Sequence, residues 1–314
     1  MQKIEVTAAN ANRRLDKFLF SYLNAAGENF VYKMLRKKNI TLNDGKAKGA
    51  ELLQAGDMIT LFLADDTIEK FRKTRKIEKA RPLTGIVFED DQLLIINKPQ
   101  GLPSHGGMNK KVDDHLLGRV LFYLTSSGAY SPDDTFVPAL CNRLDVNTSG
   151  LVVCGKTLHA LQEVNALFAN QGMDKEYITI VEGVLGKANK SRVLHGYYQK
   201  ETKANKAQVV TTQTPVAVTT AYKVLAISTD EKYSLVSVNP ITGRSHQIRA
   251  HFAAIGHPLL GDRKYGGSST PFGQSQLLHC YRLSMIGEEK SWKAPLPKNL
   301  KKCVEEWFED FNIS

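Results

Sequence analysis

Arg143 and Asp145 stand two positions apart in a polar loop, 142–150, that separates the apolar runs 137–141 and 151–154. A carboxylate in a loop between two core strands sits at a sheet edge, where clefts form, and could act as a nucleophile or oppose a developing positive charge. Taken alone, the pair reads equally as a structural ion pair. A second polar stretch is Thr242-Gly243-Arg244-Ser245-His246-Gln247-Ile248-Arg249-Ala250-His251, read as entering a helix over 244–255 that stops at Gly256. On such a helix His246 and Arg249, three apart, share one face. His246 and His251 are five apart and diverge, and the carboxylate of an HExxH helix is missing, which argues against a shared metal. A third stretch, 175–181, alternates so that Lys175, Tyr177, Thr179 and Val181 share one strand face. Tyr177 by itself reads as a core aromatic with a satisfied hydroxyl. Gly261-Asp262-Arg263-Lys264-Tyr265-Gly266 closes the region with a glycine-bounded polar loop.

The composition narrows the chemistry. The 314 residues carry 42 Lys and Arg against 32 Asp and Glu, a formal charge of +10 that favours a polyanionic partner, nucleic acid or an anionic membrane surface. No 18-residue run is free of charge, so membrane insertion is not expected, and residues 1–14 lack the apolar core of a secretory signal. Cys141, Cys154, Cys280 and Cys303 form no CxxC pair and read as cytosolic free thiols. GxxxxGK[ST] and GxGxxG are also missing. An enzyme with this sequence is expected to work without nucleotide, redox cofactor or metal.

The elements that must position these groups fall into two units. Leu15, Phe18, Leu19, Tyr22 and Leu23 make the apolar stripe of a first helix. In a second, Val31, Met34 and Leu35 face inward while Lys33, Arg36, Lys37 and Lys38 face out. A strand at 40–42, an Asp44-Gly45 turn and a strand at 58–63 follow. Residues 1–80 hold 16 Lys and Arg against 10 Asp and Glu. This order of elements resembles the S4 RNA-binding domain, through Arg13-Arg14-Leu15-Asp16, Leu35-Arg36, Ile40-Thr41-Leu42-Asn43 and Gly56-Asp57. The resemblance implies RNA contacts from Lys33, Arg36 and Lys37. The expected division is an S4-like unit at 1–63, a basic linker at 64–82 and a catalytic unit at 83–314. In the last, a hairpin over 86–97, strands flanking the Asp145 loop, a helix over 157–168 and strands at 176–181, 221–225 and 234–238 lack a βαβ rhythm. That pattern favours an α+β fold on a mixed, largely antiparallel sheet. Trp307, Phe308 and Phe311, among acidic residues, suggest a last helix that packs its aromatics on its own domain.

Together the motifs resemble the RluA family of pseudouridine synthases over nearly the whole chain. The most specific are Arg143-Leu144-Asp145 with Thr148-Ser149-Gly150-Leu151, and Thr242-Gly243-Arg244-Ser245-His246-Gln247-Ile248-Arg249. Asn97-Lys98-Pro99-Gln100-Gly101, Gly256-His257-Pro258 and the 261–266 loop also fit. One departure is Asn142, where the family usually has His, a change read as tuning. The resemblance implies isomerisation of uridine to pseudouridine in RNA without cofactor or metal, with Asp145 as nucleophile or counter-charge. It makes Arg249 the opposing cation and Tyr177 the tyrosine that stacks on uracil or moves a proton. Arg143 becomes an intruding side chain, and Lys98 and His246 are secondary candidates for the RNA-binding site, each as apt to orient a loop or touch phosphate as to do chemistry. Large-subunit ribosomal RNA is the expected substrate, tRNA the alternative, and the expected protein is a cytoplasmic monomer. Two rival readings are a non-catalytic S4-type RNA-binding protein, indifferent to loss of Asp145, and a metal-dependent hydrolase, sensitive to chelator.

Overall fold

The computed structural model describes residues 1–7, 10–106, 114–201, 206–212, 214–273 and 275–308. The first unit runs β1 (Gln2–Glu5), α1 (Leu15–Tyr22), α2 (Glu28–Arg36), β2 (Ile40–Leu42), β3 (Gly45–Lys46), β4 (Met58–Leu61) and α3 (Asp65–Phe71). Its antiparallel sheet has the order β1-β4-β2-β3. Asn43 and Asp44 both take left-handed φ values, 49° and 59°, which a two-residue hairpin turn requires. Leu15, Phe18, Leu19 and Leu23 meet Val31, Leu35, Ile40, Ile59 and Leu61 in one core. That core also takes in Ile68, with Phe71 packed against it. The segment 64–82, expected to be a linker throughout, therefore begins as a helix, because Ile68 and Phe71 are one turn apart and bury together. Beyond it, Arg75 and Thr74 reach the 131–135 loop: Arg75 Nη1 donates to Pro132 O (3.3 Å) and Thr74 Oγ1 to Asp133 Oδ1 (2.6 Å). Arg13 Nη1 donates to Thr135 O there (3.1 Å), so the first unit rests on the second through polar contacts.

The second unit runs β5 (Ile86–Glu89), β6 (Leu93–Lys98), α4 (Leu116–Ser126), β7 (Ala139–Leu140), β8 (Ser149–Gly155), α5 (Leu158–Ala169), β9 (Met173–Glu182), β10 (Ser191–Glu201), β11 (Lys206–Val210), β12 (Ala217–Ile227), β13 (Tyr233–Pro240), α6 (Gln247–Ala254), β14 (Leu278–Met285), β15 (Ser291–Lys293) and α7 (Lys298–Trp307). These strands form an 11-stranded sheet whose path is β11-β10-β12-β13-β9-β14-β8-β6-β5. It is antiparallel except where β14 runs beside β8, pairing His279 with Ser149 and Cys280 with Gly150. Gly150 is obligatory at that junction: φ is +112° and a Cβ would lie 2.2 Å from Cys280 O.

Helices α4 and α5 close one core over β6 and β8. A second lies between α6 and the β9-β13-β12 face, with Val181, Val236, Val238 and Phe252. On the opposite face α7 buries Leu300, Cys303 and Val304 with Phe308 against Ile178, Ile180 and Leu235. Phe308 and Trp307 thus pack on their own domain, while Phe311 lies outside the described residues. Among the described residues no helix is long and apolar enough to cross a membrane.

Two imidazoles are buried without a carboxylate partner, His279 on β14 and His251 on α6. His279 Nδ1 meets Ser149 Oγ at 2.9 Å and its Nε2 donates to Ala294 O at 3.2 Å. His251 Nδ1 meets Thr220 Oγ1 at 2.7 Å. Burial lowers both pKa values to about 4. A base whose folded pKa lies below its unfolded value binds fewer protons in the native state. Stability is therefore full above pH 6.5 and is lost as the pH falls toward 4, by about 3 kcal/mol per group at the acid end. Urea unfolding between pH 7 and 4 should show this slope; a flat profile would mean that the imidazoles are charged in the fold without cost.

Candidate active site

The loop carrying Asp145 hangs between β7 and β8 and is fixed at several points. Asn142 Nδ2 donates to Leu151 O (3.1 Å) and its Oδ1 accepts from Val153 N (2.9 Å), closing the base of the loop on β8. Ser104 Oγ donates to Leu144 O (2.9 Å) and accepts from Leu144 N (3.2 Å). Gly101 N donates to Val146 O at 2.9 Å, and Gln100 Nε2 to Asn147 O at 3.0 Å.

Lys98 completes this clamp and, of the roles open to it, takes that of orienting a loop. Its side chain is wholly buried, with Nζ on three carbonyls: Pro99 (3.1 Å), Leu102 (2.8 Å) and Val146 (3.2 Å). An ammonium with no exposed surface and three protons engaged does not reach RNA phosphate; it ties the 98–102 turn to the residue after Asp145. Burial pulls its pKa down to about 8, and the Asp145 carboxylate pushes the other way.

The opposing wall is the start of α6. The helix was expected from Arg244 but begins at Gln247, because His246 adopts a left-handed φ of 56°. Gln247 holds this entry: its Oε1 accepts from Thr242 Oγ1 (2.8 Å) and Arg244 N (3.1 Å), and its Nε2 donates to Thr219 O (3.0 Å). The turn brings both His246 and Arg249 to the carboxylate, although only Arg249 is helical. Arg249 Nη1 donates to Asp145 Oδ2 at 2.9 Å, and His246 Nε2 stands 3.6 Å from the same oxygen.

Arg249 has a second carboxylate partner. Its Nε and Nη2 donate to Asp262 Oδ2 (2.6 Å) and Oδ1 (2.9 Å) in a two-pronged clamp. The exposure of the side chains falls along this row, from Asp145 at 28% to Arg249 at 7% and Asp262 at 1%. Burial alone would lower the guanidinium's pKa; the carboxylates, Asp262 foremost, outweigh it and hold the pKa above its ordinary value. A permanently charged Arg therefore faces the accessible carboxylate, its orientation set from behind by Asp262.

Tyr177 lies on β9 opposite Cys280 on one side and Val238 on the other, packed against both the α4–α5 core and the α6 core. Its phenol is pushed well above the ordinary range, first by burial, then by Cys280 and by the charge of Asp145. It stays protonated at neutral pH, which suits stacking better than removing a proton. Arg143 is exposed beside Asp145. Lys33 and Arg36 are exposed on α2 in the first unit, and Lys37 is exposed at its C-cap. The sequence motifs contained Asp262, Tyr265 and Gln247 without assigning them a role; Asp262 was detectable as the single carboxylate of the 261–266 loop.

Comparison with known proteins decides the family. The RNA pseudouridylate synthase family matches residues 92–254, a span that holds the Asp145 loop, Tyr177 and Arg249. The chain belongs to the RNA pseudouridylate synthases. It is 29% identical to ribosomal large subunit pseudouridine synthase C of Escherichia coli (strain K12) over 96% of this chain and 95% of the relative. The synthase C of Vibrio vulnificus is also 29% identical, over 97% and 96%. Among solved structures, human RNA pseudouridylate synthase domain containing 4 superposes with a TM-score of 0.55 at 24% identity, covering 70% of this chain and 92% of its own. Human RNA pseudouridylate synthase domain containing 1 gives 0.55 at 21% identity, covering 73% and 90%, and both support the pseudouridine synthase fold. This synthase is thus an isomerase acting on RNA.

Proposed function

We propose that this synthase converts uridine to pseudouridine in large-subunit ribosomal RNA, working as a cytoplasmic monomer. The names of its relatives support the choice of RNA. The observation that carries the chemistry is Asp145 facing an Arg249 locked from behind by Asp262. The N1–C1′ bond breaks, the uracil turns, C5 bonds to C1′, and the C5 proton leaves while N1 regains one. Asp145 supplies the carboxylate for this, as nucleophile on the ribose or as counter-charge to it. Tyr177 stacks on the uracil, and Arg143 takes the space of the flipped nucleotide. Extrusion costs about a few kcal/mol in a paired helix and less in a loop, so unpaired uridines are the expected targets.

The test is release of tritium from RNA labelled at uridine C5, because forming the C–C bond expels that atom. Large-subunit ribosomal RNA and bulk tRNA are assayed separately with EDTA present. Release from the former supports the reading; release from tRNA alone moves the substrate, and loss of release on chelation points to a metal-dependent reaction.

The first unit, 1–63 with α3, is the S4-like RNA-binding module in this proposal, and 83–314 the catalytic one. Lys33 and Arg36 on α2 and Lys37 at its C-cap share an exposed basic face. Replacing all three by Ala should weaken RNA binding and lower the slope of log K against log salt by about three if each meets a phosphate. Binding measured from low to moderate salt checks this, and an unchanged slope removes α2 from the interface.

A further inference from the structure

The Asp145 cluster contains one more oriented group. His246 Nδ1 lies 3.0 Å from Tyr265 Oη, while Ala207 N of β11 donates to the same oxygen at 2.8 Å. Tyr265 is buried, and its ring lies beneath the Arg249 guanidinium, 4.8 Å away, and the Lys206 ammonium, 5.2 Å away. One hydroxyl therefore ties β11, the 263–265 turn and the entry to α6 together.

The donors and acceptors of this chain favour one ordering for a neutral imidazole. Ala207 N–H can only donate, so it occupies a lone pair of Tyr265 Oη. The hydroxyl proton then needs an acceptor in a buried setting, and His246 Nδ1 is placed to receive it. Accepting at Nδ1 puts the ring's own proton on Nε2, which faces Asp145 Oδ2 across 3.6 Å. The opposite tautomer would aim a lone pair at a carboxylate and leave the phenol proton without that acceptor.

We propose that Tyr265 is a positioning residue that fixes His246 as the Nε2–H tautomer, so that a neutral imidazole donates to Asp145 Oδ2 beside the permanent charge of Arg249. The pocket agrees with it. Burial raises the pKa of Tyr265, so the hydroxyl keeps its proton. Burial lowers that of His246, opposed by Asp145 and Asp262 and assisted by Arg249 and Lys264, so the ring is neutral at pH 7. The purpose follows from charge. Two full cations on one carboxylate oxygen would over-stabilise the resting anion, whereas a neutral donor orients it with less loss of reactivity. At 3.6 Å the contact is long, and it is expected to shorten when RNA excludes water from the site. The left-handed φ of 56° at His246 has the same explanation, since this turn points the ring between Tyr265 and Asp145.

This inference rests on the role proposed for Asp145, and its test separates the two. In the RNA-free protein with 15N-labelled histidine, the His246 resonances, assigned by their loss in His246→Gln, should show a protonated Nε2 and a bare Nδ1. A protonated Nδ1 at neutral pH overturns the proposal whatever the enzyme's activity. Tyr265→Phe keeps the ring against Arg249 and removes only the hydroxyl. It should give a mixture of tautomers and lower kcat about fivefold, the worth of one hydrogen bond between neutral groups, with KM for RNA unchanged. His246→Gln, whose amide can still donate, should retain more turnover than His246→Ala. A Tyr265→Phe enzyme with wild-type kcat, or one altered only in KM, overturns the positioning role. Failure of the wild type to release tritium would instead remove the role of Asp145.

Discussion

Replacing Asp145 by alanine should lower tritium release by about 10⁴-fold or more, while RNA binding and folding persist. The separation is expected from the geometry. Arg249 is nearly buried, and removing its partner from a buried guanidinium ordinarily destabilises a protein by about 3–5 kcal/mol. Here Nε and Nη2 remain clamped by Asp262, and only the Nη1 contact is lost. The cost should therefore be about 2 kcal/mol, the value of one hydrogen bond between charged groups. Asp145→Asn keeps the shape of the side chain and removes its charge, and should be as inactive as the alanine variant. Single-turnover release and filter binding, run on the same RNA, measure the two quantities. Equal loss of turnover and binding would show that Asp145 holds the RNA site together rather than acting on the ribose. Full turnover in Asp145→Asn would show that the charge is dispensable.

The parts of this site that could be read from the sequence are those whose chemistry is local. The polar loop around Asp145 stood out because its flanks, now β7 and β8, are apolar. Tyr177 could be placed on a strand because the stretch around it alternates. The two stripes of α1 and α2 were legible for the same reason, since a 3.6-residue period survives in a short window. What was not legible depends on long-range pairing. β14, Leu278–Met285, is buried on both faces through Tyr281 and alternates only over its last four residues, too short a signal to reveal it, yet it supplies Cys280 beside Tyr177 and the contact that makes Gly150 obligatory. β10, Ser191–Glu201, is largely exposed and polar, so it carries no periodic signal; its partner β11 brings Ala207 to Tyr265.

The role of Lys98 stayed open because sequence does not distinguish an ammonium in solvent from one satisfied by three carbonyls. The start of α6 was displaced by three residues because the Gln247 amide overrides helical propensity at the turn before it. Asn142 shows the same limit. The sequence shows it only as a departure from the usual His, read as tuning, and not that its amide engages the backbone of β8 as both donor and acceptor. In each case the deciding partner is a backbone group, and backbone groups leave no trace in residue type.

Loss of Asp262 should have the largest effect on the fold. Asp262→Ala leaves Nε and Nη2 of Arg249 without acceptors at a position where water has little access, since the two side chains are 7% and 1% exposed. Asp145 still offers one oxygen to Nη1, so the charge is not wholly uncompensated. The expected loss is about 3 kcal/mol, the lower end for breaking a buried pair. For a unit of this size that lowers the melting temperature by roughly 10 °C. Catalysis should suffer too, by about 10²-fold, because a guanidinium released from its clamp can turn and take Asp145 with it. A second variant separates the two effects. Asp262→Ala combined with Arg249→Met removes the buried charge together with its partner, so it should recover part of the lost stability while remaining inactive. Thermal unfolding and tritium release on the three proteins decide the matter. If the single variant melts with the wild type, Asp145 alone compensates Arg249. If the double variant melts below the single one, the stabilising element is the stacking of the Arg249 guanidinium on Tyr265 rather than the ion pair.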